Sequence, residues 1–266
     1  LACENKDTGN KGADSKESSL VYGRGTDSVS LDPITVTDGE SFKVARNIYE
    51  TLVQFGEDDT SIKPSLAKEW EISEDQLTYT FTLQEGVKFH DGTVFNAEAV
   101  VKNFERWMNG TVDQFPYYGD MFGGFVDDKN HIIDTVKALD EHTFEIKLKK
   151  PSAALLNNLA MTAFSIASPS AIEKEGDKFG ENPVGTGPFK FKSWKRNDSI
   201  ELTKNEDYWQ NGYPKVTKLI YRTLPDNAAR LNSLVTGEID IADGLSPSDH
   251  KRIEEDSNLQ LLKRPS

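Results

Sequence analysis

The sequence is poor in cysteine, in long apolar runs and in positive charge. Its 266 residues include one cysteine, Cys3, which excludes an internal disulfide framework. No run of about 18 apolar residues occurs, so the sequence predicts no transmembrane helix in this chain. Lys and Arg number 31 against 44 Asp and Glu, which gives a formal net charge of -13. Because this excess of acid repels nucleic-acid phosphates and anionic headgroups, we expect no nucleic-acid partner.

The patterns that mark common enzymes and metal sites are also missing. There is no G-x-S-x-G, no Walker loop and no paired-cysteine zinc pattern. The Gly-rich stretch at residues 185–189, GTGPF, is not a dinucleotide fingerprint and is typical of a tight turn. The four histidines share no ligand-like spacing: His90, His131, His142 and His250. We therefore expect a protein that is not an enzyme, with no catalytic residues, no metal and no cofactor.

The single cysteine lies at the head of a polar segment. Leu1-Ala2-Cys3 resembles the end of a bacterial lipoprotein signal, in which a small apolar box precedes the cysteine that is lipidated. Residues 4–19 contain one apolar side chain, Ala13, a composition typical of a flexible linker. We expect Cys3 to carry the lipid and residues 1–19 to form the lipidation site and tether. The alternative is a chance cysteine in a frayed terminus.

Strands and amphipathic helices follow the tether. Residues 76–83, QLTYTFTL, alternate apolar and threonine side chains, which predicts a strand with one buried face. Helical spacing of apolar residues begins after Asp38 or Ser41, either of which can cap that helix. Asn96 is the expected cap of a second helix over residues 97–108. Mixed strands and helices with crossovers predict an α/β fold.

Three long stretches together resemble one protein family. They are residues 30–55, 65–106 and 182–245, which occur in the family's order and cover nearly all of the patterned chain. By them the sequence is similar to the extracytoplasmic solute-binding proteins of ABC importers, family 5, which bind oligopeptides, dipeptides and nickel. The resemblance covers the N-terminal half of that family.

The resemblance implies a fold of the periplasmic-binding-protein type II class. Such proteins have two main lobes around a cleft, and this family adds an extra lobe. Residues 20–45 and 184–266 would form the first main lobe, and residues 46–183 the extra lobe. The second main lobe would be absent from this chain.

The resemblance also implies where a ligand would bind. In relatives, the stretch after an LDP motif lies alongside the bound peptide and offers backbone hydrogen bonds, as an added strand would. Here that stretch is Thr37, Asp38 and Gly39. The alternative is that Asp38 only caps a helix.

A second set of candidate ligand-binding residues comes from an aromatic stretch. Residues 109–131 hold four Gly, one Pro and six aromatic or Met side chains without periodicity, which predicts a long loop. Long aromatic loops in compact domains are often functional. We expect this loop to reach the rim of the cleft through Tyr117, Tyr118 and Phe122, with packing on the surface as the alternative.

The expected function is that of a lipid-anchored receptor for an ABC importer. It would be a monomer on the cell surface, held at the outer face of the cytoplasmic membrane by its lipid alone. It would capture oligopeptides or dipeptides and deliver them to the permease subunits. Two alternatives stay open: a nickel or metal-chelate receptor of the same family, and a signalling or adhesive lipoprotein on the same scaffold.

Overall fold

The computed structural model describes residues 17–263, so the expected lipidation site, Cys3, lies outside the described residues. None of the helices in that range has the length and apolarity that a bilayer crossing needs. The α-helices are α1 Gly39–Ile48, α2 Ala97–Met108, α3 Pro116–Phe122, α4 Leu155–Leu159, α5 Pro169–Glu175, α6 Asn227–Val235 and α7 His250–Glu255. The strands are β1 Ser19–Arg24, β2 Val53–Phe55, β3 Ile62–Pro64, β4 Ala67–Ile72, β5 Thr78–Leu83, β6 Ile133–Asp140, β7 Thr143–Leu148, β8 Phe189–Lys195, β9 Ser199–Lys204, β10 Lys218–Thr223 and β11 Ile241–Ala242.

A five-stranded mixed sheet has the order β11-β1-β10-β9-β8. Strand β1 pairs in parallel with β10 and with β11. Strand β9 pairs antiparallel with both β10 and β8. The register places Leu20 beside Leu219 and Tyr22 beside Tyr221, so their side chains share one face. That face packs against the buried side of α1, so the sheet holds α1 in place.

A four-stranded antiparallel sheet has the order β4-β5-β7-β6. The prediction of a strand with one buried face is confirmed in β5, where Tyr79, Phe81 and Leu83 are buried and the threonines are partly exposed. Helix α2 packs against this sheet through Phe104, whose ring centroid lies 5.2 Å from that of Phe144. Its predicted cap is also confirmed, because the Asn96 side chain accepts a hydrogen bond from the Ala99 N–H.

Two hydrophobic cores accompany the two sheets. The core of the five-stranded sheet includes α1 and also Ala167, Ala171 and Phe179. The larger core surrounds the four-stranded sheet, and Val184 packs against both. The predicted division into lobes at residues 45 and 184 stays a prediction, but apolar contacts of the first core extend into residues 167–179.

Candidate functional site

The segment before α1 is tied to the rest of the protein through a buried acid. Asp32 receives hydrogen bonds from both terminal nitrogens of Arg106 on α2, with Nη2–Oδ2 at 2.5 Å and Nη1–Oδ1 at 3.3 Å. The backbone carbonyl of Asp32 accepts from the Thr35 N–H at 3.1 Å. This arrangement fixes the chain direction just before the expected ligand-binding residues, and the sequence pattern did not reveal it.

The next residues form an extended strip of backbone. Val36 has φ -117° and ψ 158°, and Asp38 has φ -89° and ψ 141°. The Val36 side chain is buried and Thr37 is exposed. Among residues 17–263, the N–H and C=O of Val36 and the N–H of Thr37 have no hydrogen-bond partner. These groups are therefore free to pair with an extended chain laid alongside them.

The start of α1 completes this strip. Asp38 accepts a hydrogen bond from the Ser41 N–H at 2.8 Å, so the expected capping role of Asp38 is confirmed. The Ser41 hydroxyl instead accepts from the Val29 N–H. Gly39 faces open space, since a Cβ added there would meet no atom within 4 Å. We call Val36, Thr37, Asp38 and Gly39 the open strip.

The prediction for Tyr118 and Phe122 is wrong. Both lie in α3, within the stretch predicted to be a loop, and both side chains are completely buried. The Tyr118 hydroxyl lies 2.7 Å from Nε2 of buried His131. These aromatic side chains therefore form core and do not reach a cleft rim. A signal for α3 was present, because Pro116 begins the helix and Gly123 ends it in the left-handed region.

Tyr117 has a different position from its neighbours on α3. Its side chain is partly buried, and its ring centroid lies 6.1 Å from that of Phe42 on α1. Phe42 follows Asp38 by one helical turn. Of the three aromatic residues proposed from sequence, Tyr117 alone therefore packs beside the helix that carries the open strip.

The backbone of the GTGPF stretch forms hydrogen bonds with other parts of the protein. The Gly187 N–H donates to the Ile48 carbonyl at 2.8 Å, and the Gly187 carbonyl accepts from Nε2 of His90 at 2.8 Å. The Gly185 carbonyl accepts from the His90 N–H at 2.9 Å. These bonds join the end of α1 to the turn before α2, so the stretch is a structural junction.

A partly buried carboxylate, Glu50, lies close to that junction. Glu50 accepts hydrogen bonds from Trp209 Nε1 at 2.8 Å, from the Tyr208 hydroxyl at 2.8 Å and from the Thr186 hydroxyl at 2.9 Å. Burial raises the pKa of Glu50, and these three bonds oppose that rise. Glu50 also borders a cavity of 870 Å³, whose lining includes Arg46, Phe55, Met161 and Tyr213. No residue of the open strip lines this cavity, so we do not assign it to the ligand.

The junction gives the stability of the protein a pH dependence. Burial lowers the pKa of His90 to about 4, whereas an unfolded histidine titrates near 6.5. The folded state then binds fewer protons than the unfolded chain below about pH 6.5, so stability is complete above that pH and falls toward pH 4. His90→Gln can still donate to the Gly187 carbonyl but does not titrate. We expect it to flatten the pH dependence of the urea midpoint.

The control for this experiment is His250→Gln, at the start of α7. It removes a histidine outside the junction, so a flattening seen in His90→Gln alone reports on the junction. Some slope should remain in His90→Gln, because burial and the nearby Lys149 also lower the pKa of His131. An unchanged slope in His90→Gln would contradict a neutral, buried His90.

Residues 61–266 match the family model described as "Bacterial extracellular solute-binding proteins, family 5 Middle". The chain belongs to this family. Among its curated relatives, the glutathione-binding protein GsiB of Pectobacterium atrosepticum is 38% identical over 246 residues, which are 92% of this chain and 46% of the relative. The match confirms the family predicted from the sequence. The family's description as extracellular indicates an extracytoplasmic location for the protein.

Solved structures confirm the fold class. DppA from Helicobacter pylori, in complex with the peptide STSA, matches with a TM-score of 0.82 and 38% identity. The matched region is 90% of this chain and 49% of the DppA chain. The dipeptide-binding protein of Pseudoalteromonas sp. SM9913, in complex with Met-Leu, has a TM-score of 0.82 and 25% identity, at 90% and 50% coverage. The chain thus spans about half the length of the relatives that it matches. These relatives are binding proteins and not enzymes.

Between residues 17 and 263, no three His, Cys, Asp or Glu side chains are grouped so that they could hold a metal ion.

Proposed function

We propose that this chain supplies one wall of the peptide site of an ABC-importer receptor. The receptor would be anchored at Cys3 by lipid to the outer face of the cytoplasmic membrane, as a monomer. It would capture short peptides and deliver them to permease subunits after closing around them. Closure requires that the ligand bind the closed state more tightly than the open one.

The observation that carries this proposal is the open strip. Val36, whose backbone is extended, and Thr37 present backbone groups that have no hydrogen-bond partner among residues 17–263, and Gly39 leaves space beside them. A peptide main chain offers the complementary donors and acceptors at every residue, so pairing of this kind tolerates many side chains. Asp38 would line this wall in addition to capping α1. Tyr117 would contact the peptide at the edge of the wall.

The ligand class follows from the relatives. DppA of Helicobacter pylori was solved with the tetrapeptide STSA, and GsiB is named as a glutathione-binding protein. Both ligands are short peptides, and we propose short peptides for this protein. STSA and glutathione are therefore the first probes, and a nickel–histidine chelate is the probe for the alternative.

Gly39→Val tests the proposal. A peptide that approaches the open strip would meet the added side chain, so we expect peptide affinity to fall at least about tenfold. Within the protein a Cβ added at this position meets no atom within 4 Å, and valine is no worse than glycine in a helix. The thermal midpoint should therefore stay close to that of the wild type. Titration calorimetry on the full-length protein measures the affinity.

Ser170→Val is the matched control, because Ser170 is exposed in the first turn of another helix, α5. It adds the same side chain and should leave affinity unchanged. Equal peptide affinity in Gly39→Val and the wild type would refute the open strip as the ligand wall. Binding of the nickel chelate alone would favour the metal-chelate receptor.

A further inference from the structure

The chain leaves the five-stranded sheet through residues 242–246, whose backbone is held from the interior. The buried side chain of Arg230 donates from Nε to the Asp243 carbonyl at 3.0 Å and from Nη2 to the Gly244 carbonyl at 2.9 Å. The Asp243 N–H donates to the Gly23 carbonyl at 2.9 Å. We call residues 242–246 the exit segment. Its backbone has a defined place beside β1.

The exit segment also contacts α1 through one side chain. The ammonium group of Lys43 pairs with the carboxylate of Asp243 and with Glu40 Oε1, the latter at 2.7 Å. Burial alone would lower the pKa of Lys43, but the bonds to Asp243 and Glu40 raise it. The ammonium group therefore stays charged, and it bridges two acids that belong to different elements of the fold.

The Lys43–Asp243 pair joins two segments that are each held in place by hydrogen bonds. Glu40 and Lys43 lie in the first turns of α1, immediately after the open strip. The Lys43 carbonyl accepts a hydrogen bond from the Tyr221 hydroxyl of β10 at 3.0 Å. Asp243 is continuous with the carbonyls that Arg230 holds. A shift of the start of α1 that is larger than the Lys43 side chain can follow would therefore either move the exit segment or break the Lys43–Asp243 pair.

Stability does not explain this pair well. The side chains of Lys43 and Asp243 are 31% and 37% exposed, and ion pairs with such exposure contribute little to folding. What the pair does provide is a link between α1, which begins at the end of the open strip, and a segment 200 residues away in sequence.

We propose that Lys43 is a positioning residue that couples peptide binding at the open strip to the position of the exit segment. This inference rests on the proposed function. It assigns Lys43 no contact with the peptide. The peptide acts on α1, and the Lys43–Asp243 pair transmits the change to residues 242–246.

Amide hydrogen exchange on the full-length protein, with and without the STSA peptide or glutathione, tests the coupling. In the wild type, peptide should slow exchange at both the open strip and the exit segment. In Lys43→Met, protection should persist at the open strip and disappear at the exit segment, and affinity should fall about fivefold. Asp243→Asn should reproduce this pattern, and Lys43→Arg should restore the wild-type pattern.

Lys192→Met is the matched control, since Lys192 forms a 3.0 Å pair with Glu201 elsewhere on the sheet. It should leave both protections intact. Protection at the exit segment that is the same in Lys43→Met and the wild type would overturn the coupling and leave the proposed function standing. If neither STSA nor glutathione protects either segment, the proposed function is overturned, and the coupling with it.

Discussion

Gly187→Ala is expected to destabilise the protein by about 3 kcal/mol. An added Cβ would lie 2.6 Å from the Ile48 carbonyl carbon, 2.7 Å from the Ile48 oxygen and 2.8 Å from the Asn47 oxygen. These are backbone atoms at the end of α1, so they cannot rotate away as a side chain can. Either α1 moves, or the Gly187 hydrogen bonds to Ile48 and His90 are lost.

Urea denaturation measures this effect, with two controls. Gly39→Ala adds the same methyl group in open space, so its stability should equal or slightly exceed that of the wild type. Gly23→Ala would contact the flexible end of the Ile239 side chain at 2.5 Å, so its cost should be intermediate. A Gly187→Ala midpoint equal to that of the wild type would contradict the close approach at the junction.

Arg106→Met is expected to destabilise the protein by about 2 to 3 kcal/mol. The change leaves the Asp32 carboxylate, which is 7% exposed, without its only cationic partner among the described residues. Methionine keeps much of the packing against Phe115 and Phe179, whose rings lie 5.2 and 5.9 Å from the guanidinium carbon. The loss therefore reports chiefly on the unpaired acid. Because Asp32 directs the chain into the open strip, peptide affinity should also fall.

A double-mutant cycle separates these contributions. Asp32→Asn combined with Arg106→Met removes the unpaired charge, so the double variant should be more stable than the sum of the single losses predicts. Arg252→Met is the control, because Arg252 is exposed in the last turn of α7. It should cost less than about 0.5 kcal/mol. Additive losses in the cycle would contradict a direct Arg106–Asp32 interaction.

Those parts of the fold that depend on local pattern were predictable from the sequence. The threonine alternation in β5 and the caps Asp38 and Asn96 each depend on residues within one or two turns of the chain. The family stretches supplied the fold class, which the solved structures confirm. The open strip was placed by resemblance, and its role in binding stays a proposal.

Contacts between distant residues were not predictable. The Arg106–Asp32 pair joins positions 74 residues apart, and the Lys43–Asp243 pair joins positions 200 apart. Acids and bases are so frequent in this chain that their spacing cannot indicate which of them meet. Helix α3 was missed because seven residues give too few turns for an apolar period to show. The partner of the Tyr118 hydroxyl, His131, is 13 residues away in sequence and meets it only in the folded chain.

A crystal structure of the full-length protein with a bound peptide tests the central claim most directly. The account predicts an extended peptide whose main chain lies within hydrogen-bonding distance of Val36 and Thr37 and passes over Gly39. A peptide bound elsewhere, with the open strip left free in the complex, would contradict it.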